Sequence, residues 1–181
     1  MDVIELELSG LLLIRSKVFS DERGFFLEPY NQSRYYQAGI TETFVQDNHS
    51  RSSHGTLKGL HYQRRPGQAK LLRVAVGRIL DVAVDIRPES KTFGRWTSVE
   101  LTAEGHEQLF VPIGFTHGFC VLSDTADVLY KVSAPYDPAE EFTLAWNDPE
   151  IGVDWRVTEP ILSPRDCSGE SFVEYRRRLE L

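Results

Sequence analysis

The 181 residues carry a formal charge of −7, are 41% hydrophobic and 26% charged, and include two cysteines. Such a length fits one domain with a sizeable core, residues 1–181, and the acidic balance argues against general nucleic-acid binding, which needs a basic surface. No apolar run approaches the roughly 20 residues of a membrane span, and Cys120 and Cys167 are too few for a disulfide framework.

At the N-terminus, Met1-Asp2-Val3-Ile4-Glu5 lacks the basic start of a secretory signal. With the sparse cysteines, this points to the cytoplasm. Short apolar-rich runs then appear at Leu11–Ile14, Gly24–Glu28 and Phe44–Asp47. Between the last two, a helix is expected near Gln32–Ala38, stopped by Gly39. The runs continue at Leu71–Val76, Ile79–Ile86, Val99–Leu101, Leu109–Ile113, Gly118–Leu122, Asp127–Val132 and Phe142–Trp146. Gly, Pro, Asn or Asp clusters separate most of them, the punctuation of a sandwich or barrel. Inside Ile79–Ile86 the alternation is strict, with Val82, Val84 and Ile86 on one face and Asp81, Ala83 and Asp85 on the other. A second helix is expected near Glu170–Leu179. The pattern predicts an all-β jelly-roll barrel with a few short flanking helices.

The most informative stretch is Gly55-Thr56-Leu57-Lys58-Gly59-Leu60-His61-Tyr62-Gln63, followed by Lys70 and Gly77. It is similar to the cupin pattern, in which a Gly is followed six positions on by His-x-His, then by a Glu, then by a Gly. Here His61 keeps the first histidine, Gln63 replaces the second, and Lys70 stands at the Glu position. Pro112-Ile113-Gly114-Phe115-Thr116-His117 resembles the second half of the pattern. A protonated lysine repels a divalent cation, so the cavity is expected to hold an organic anion and no metal. Lys58 and His61, three apart, point to opposite faces of a regular strand. A bulge at Gly59 would bring both to one pocket.

These residues suggest a chemistry. Lys70 and His117 occupy former ligand positions and should point inward. Tyr130 supplies a phenol, and Asp166 and Asp81 are alternative carboxylate partners for His61. A histidine held by a carboxylate is a base near neutral pH, a lysine beside a carbonyl oxygen stabilises developing negative charge, and a tyrosine can return a proton to carbon. Base, cation and acid together describe proton abstraction next to a carbonyl and reprotonation, without a cofactor.

From Ser20 to Asp166 the chain resembles the dTDP-4-dehydrorhamnose 3,5-epimerases of the cupin superfamily. The resemblance rests on Asp21-Glu22-Arg23-Gly24-Phe25-Phe26-Leu27-Glu28, Phe44-Val45-Gln46-Asp47-Asn48-His49-Ser50 and Gly59-Leu60-His61-Tyr62-Gln63. Asp81 to Arg87, Gly114 to Phe119, Tyr130-Lys131, Trp146 to Pro149 and Leu162-Ser163-Pro164-Arg165-Asp166 complete it in order. It implies His61 as base paired with Asp166, Tyr130 as acid, and Lys70 beside the 4-keto oxygen with His117 nearby. It further implies that Arg23, Glu28, Gln46, Asn48, Glu141 and Arg165 bind the dTDP-sugar, with Tyr136 stacked on thymine. The implied assembly is a homodimer that exchanges N-terminal strands, so that Arg23 and Glu28 serve the partner's pocket. Lys58 stands where the family usually has Arg; it keeps the charge for a pyrophosphate but loses bidentate geometry. The implied reaction converts dTDP-4-dehydro-6-deoxy-D-glucose to dTDP-4-dehydro-L-rhamnose. The alternatives are a C3-only epimerase or ketoisomerase of a dTDP-4-keto-deoxysugar and, more distantly, a non-enzymatic nucleotide-sugar-binding barrel.

Overall fold

A computed structural model describes residues 1–180. The chain begins with strands β1 (Asp2–Glu5), β2 (Leu12–Arg15), β3 (Val18–Asp21) and β4 (Gly24–Leu27), then helix α1 (Gln32–Gln37). Strands β5 (Gln46–Ser53), β6 (Leu57–Gln63), β7 (Lys70–Val76) and β8 (Arg78–Asp85) follow. After them come β9 (Trp96–Thr102), β10 (Glu107–Val111), β11 (Phe115–Val121), β12 (Thr125–Val132) and β13 (Glu141–Thr143). A 3₁₀ turn at Asp166–Ser168 and helix α2 (Phe172–Arg178) close the chain.

Two antiparallel sheets pack as the expected jelly roll. One has six strands in the order β1-β2-β10-β7-β12-β5, the other five in the order β13-β6-β11-β8-β9, and β3-β4 forms a separate hairpin. Alternation decides which side chains fill which layer. Between the sheets lie Leu72, Val74, Ile79, Ala83, Leu109, Phe119 and Val128. The opposite face of the five-stranded sheet presents Leu80, Val82 and Val84, covered by Trp155, Phe172 and Tyr175 from the C-terminal segment. The outer face of the six-stranded sheet presents Ile14, Leu71 and Phe110, covered by Tyr35 and Ile40. Both faces of β8 are therefore buried, as the run Ile79–Ile86 requires.

Local chemistry fixes the two helices. Asn31 caps α1 by accepting from the Arg34 N–H, and Gly39 takes φ +90° just beyond the last turn. Ser171 and Glu174 form a reciprocal capping box on α2.

Every expected apolar run overlaps a strand, with ends displaced by a few residues. The largest displacement is at β5, expected over Phe44–Asp47 and found at Gln46–Ser53. Its residues alternate in exposure, but the inward ones are Gln46, Asn48 and Ser50, so hydrophobicity does not trace it. Strands β1 and β3 were not anticipated; they are short and mostly exposed.

Candidate active site

A cavity of about 410 Å³ opens between the two sheets. The six-stranded sheet contributes Gln46, Asn48 and Ser50 from β5, Lys70 from β7 and Tyr130 from β12. The five-stranded sheet contributes Lys58 and His61 from β6, His117 from β11 and Glu141 from β13. Loops add Tyr136 and Arg165.

The bulge expected at Gly59 is present. His61 pairs with His117 and Lys58 with Phe119, so three steps along β6 match two along β11. Gly59 sits at φ +130°, and a Cβ there would lie 2.5 Å from Gly118 Cα. The extra residue turns both Lys58 and His61 toward the cavity.

His61 Nε2 lies 2.6 Å from Asp166 Oδ1. Asp166 also accepts from the Gly59 N–H at 3.1 Å and from Ser163 Oγ at 2.6 Å. Burial pushes its carboxyl up, but these hydrogen bonds prevail and hold it at about 2. For His61, burial outweighs the Asp166 hydrogen bond and lowers the pKa, with Lys70 and Arg165 acting in the same direction. The imidazole is thus neutral near pH 7 and available as a base. Asp81, the other carboxylate considered for His61, instead holds His117, whose Nε2 lies 2.9 and 3.0 Å from its two oxygens. Register explains this: Asp81 faces Phe119, two residues along from His117 and on the same side of the sheet.

Opposite the histidines, Lys70 is lowered to about 8 by burial, opposed by Glu141 and Asp81. Its Nζ lies 3.5 Å from the His61 carbonyl oxygen. Tyr130 is raised by burial and then by Glu141, so its phenol keeps its proton at neutral pH. Burial lowers Lys58, partly offset by Asp166, and its Nζ stands over the Phe119 ring at 5.9 Å.

At the mouth, Arg165 Nη1 donates to Glu141 Oε2 at 2.6 Å. Tyr136 is half exposed, and its backbone N–H donates to Gln46 Oε1 at 3.1 Å. Gln63, at the second metal-histidine position of the cupin pattern, is a brace for the same loop. Its amide accepts from the Asp137 N–H at 3.1 Å and donates to the Pro66 and Pro135 carbonyls at 3.1 and 3.3 Å.

Arg23 and Glu28 are not brought to this cavity. Arg23 pairs with Asp21 on the β3-β4 hairpin, and Glu28 with Arg34 at 2.9 Å. Three contributors escaped the sequence reading. Ser50 extends the Gln46, Asn48 row by one more step of two, and its Oγ has no hydrogen-bond partner among the described residues. Gln63 gave no signal beyond the lost histidine. Ser163 lies inside one of the family-like segments, and its spacing of three from Asp166 is that of a side-chain-capped turn.

Residues 5–174 match the family model described as dTDP-4-dehydrorhamnose 3,5-epimerase. The chain belongs to this family. A family member from Shigella flexneri, a dTDP-4-dehydrorhamnose 3,5-epimerase, is 49% identical over 176 residues, covering 96% of this chain and 97% of the relative. Among solved structures, the dTDP-6-deoxy-D-glucose-3,5-epimerase of Legionella pneumophila, in complex with dTDP-4-keto-L-rhamnose, superposes with a TM-score of 0.91 at 45% identity. That match covers 94% of this chain and 92% of the other. The 3′-monoepimerase ChmJ of Streptomyces bikiniensis, in complex with dTDP-quinovose, gives a TM-score of 0.91 at 34% identity, covering 98% and 91%. Membership makes the chain an isomerase acting on carbohydrate.

Proposed function

We propose that this enzyme inverts C3 and C5 of dTDP-4-dehydro-6-deoxy-D-glucose, yielding dTDP-4-dehydro-L-rhamnose. One observation carries the reading: the base and the acid enter the cavity from opposite sheets, His61 from β6 and Tyr130 from β12. Inversion requires a proton to leave one face of the sugar and another to arrive on the other face. His61, neutral and held by Asp166, takes the proton next to the 4-keto group. Lys70 stabilises the enolate oxygen, and Tyr130 protonates C5 from the far side. Exchange with solvent restores both side chains.

Lys58 and Arg165 supply cations for the pyrophosphate, Gln46 and Asn48 offer a row of polar contacts, and Tyr136 stacks on the base at the mouth. Glu141 and His117 complete the sugar end. Arg23 and Glu28 serve the pocket of a second copy in a homodimer with exchanged N-terminal strands. The β3-β4 hairpin supports this, since it joins neither large sheet and leaves Phe19, Phe25 and Phe26 exposed. No described helix is long and apolar enough to cross a membrane, and the reading places the enzyme in the cytoplasm.

A C3-only epimerase is the second reading, favoured by the likeness to a 3′-monoepimerase. The deciding experiment incubates the protein with dTDP-4-dehydro-6-deoxy-D-glucose in heavy water and follows deuterium by NMR. Incorporation at both carbons, with reduction of the product to dTDP-L-rhamnose, establishes the double inversion. Incorporation at C3 alone selects the second reading. No incorporation with binding intact leaves a binding barrel and overturns both.

A further inference from the structure

We propose that Ser163 is a positioning residue for the catalytic base, holding the Asp166 carboxylate in the orientation that aims His61 at the substrate. The proposal rests on the reading of His61 as base and concerns a residue that acts only through Asp166.

The two carboxylate oxygens of Asp166 have different partners. Oδ1 receives His61 Nε2 at 2.6 Å and the Gly59 N–H at 3.1 Å. Among the described residues Oδ2 has Ser163 Oγ alone, at 2.6 Å, a charge-assisted length. The Asp166 N–H returns a hydrogen bond to Ser163 Oγ at 3.2 Å, so the two residues are tied at both ends. Asp166 is 3% exposed, which leaves bulk water no access to replace a lost contact.

Without Ser163, one oxygen is fixed and the other is free. Rotation about the Cβ–Cγ bond of an aspartate is soft, and Lys58 and Arg165 both lie close enough to feel the Asp166 charge. A loosened carboxylate would turn toward these cations and leave the imidazole without its orienting partner. Ser163 opposes that turn. Its hydroxyl faces the carboxylate and not the imidazole, so it has no role as a nucleophile.

The test compares Ser163→Thr with Ser163→Val, which match in volume and differ in the hydroxyl, by steady-state kinetics and deuterium incorporation. Ser163→Thr keeps kcat within about threefold of the wild type. Ser163→Val loses about tenfold or more in kcat with KM within about twofold, and incorporation at C3 and C5 falls in the same proportion because one base serves both. In an Asp166→Ala background, adding Ser163→Ala changes nothing further, because Ser163 has lost the group it positions. Equal kcat for the Thr and Val variants, or a further independent loss in the Asp166→Ala background, overturns the proposal. Full activity of Asp166→Ala itself would overturn the dyad reading instead, and the two failures are thereby separated.

Discussion

Gly59 and Gly118 cross on neighbouring strands with no room for a side chain on either. A Cβ on Gly59 would stand 2.5 Å from Gly118 Cα, and one on Gly118 would stand 2.7 Å from the Lys58 carbonyl oxygen. All of these are backbone atoms, which cannot swing aside. Gly118→Ala should therefore cost about 3 kcal/mol or more in urea unfolding. Unchanged stability would show that the two strands separate more easily than their packing indicates.

Tyr130→Phe removes the proposed acid and nothing else from the cavity wall. C5 inversion should fall by about 100-fold or more, while C3 deuterium incorporation and product-nucleotide affinity stay within about threefold. NMR of the reaction in heavy water reads both carbons at once. Full C5 turnover would remove Tyr130 from the mechanism.

The pH profile of kcat/KM should be bell-shaped. The proposed mechanism requires neutral His61 and charged Lys70. Burial lowers the His61 pKa, so the acid limb should lie below the ordinary histidine range. Lys70, lowered to about 8, should set an alkaline limb near that value. Stability follows the same groups. Burying the Lys70 charge costs stability at all pH values below about 8, a cost that fades as pH rises from there toward 10.5. Asp166, held at about 2 against an ordinary 3.8, adds stability above 3.8 that disappears as pH falls through 2. Lys70→Met should accordingly gain about 1 kcal/mol near pH 7 while losing activity; urea melts paired with assays check both.

In the proposed function Gln63 acts on nucleotide binding only through the loop it braces. Gln63→Ala frees the Asp137 N–H and the loop carrying Tyr136, so KM should rise about fivefold with kcat within about twofold. Calorimetry with dTDP should show the same loss. A fall in kcat alone would assign Gln63 to the chemistry.

If Arg23 serves a second copy's pocket, mixed subunits reveal it. Arg23→Ala and His61→Ala, each inactive alone, should recover activity when refolded together, because one site in each mixed dimer joins an intact His61 to an intact Arg23. Random mixing makes half the dimers mixed, giving about a quarter of wild-type activity. No recovery would place Arg23 outside a shared site.

Much of this was legible in the sequence where spacing carries it. Lys70 and His117 announced themselves because they stand at ligand positions of a recurrent pattern, and Gly59 because the parity between Lys58 and His61 was wrong for a regular strand. Strand β5 was blurred for a functional reason: its inner face is Gln46, Asn48 and Ser50, and a polar cavity wall erases the hydrophobic alternation by which strands are read. The partner of His61 was undecided between Asp81 and Asp166 because that choice depends on sheet register and on a loop 105 residues away. Gln63 and Ser163 were passed over because their work is done on backbone and on another side chain, which one-dimensional spacing does not display.

The dyad also orders events in time. His61 is made in the first half of the chain, but Asp166 and Ser163 arrive with its last twenty residues. During synthesis the barrel strands, the proposed acid Tyr130 and the proposed enolate partner Lys70 all precede the carboxylate that holds His61. In the proposed mechanism proton abstraction therefore waits for the segment carrying Asp166 to fold back against β6.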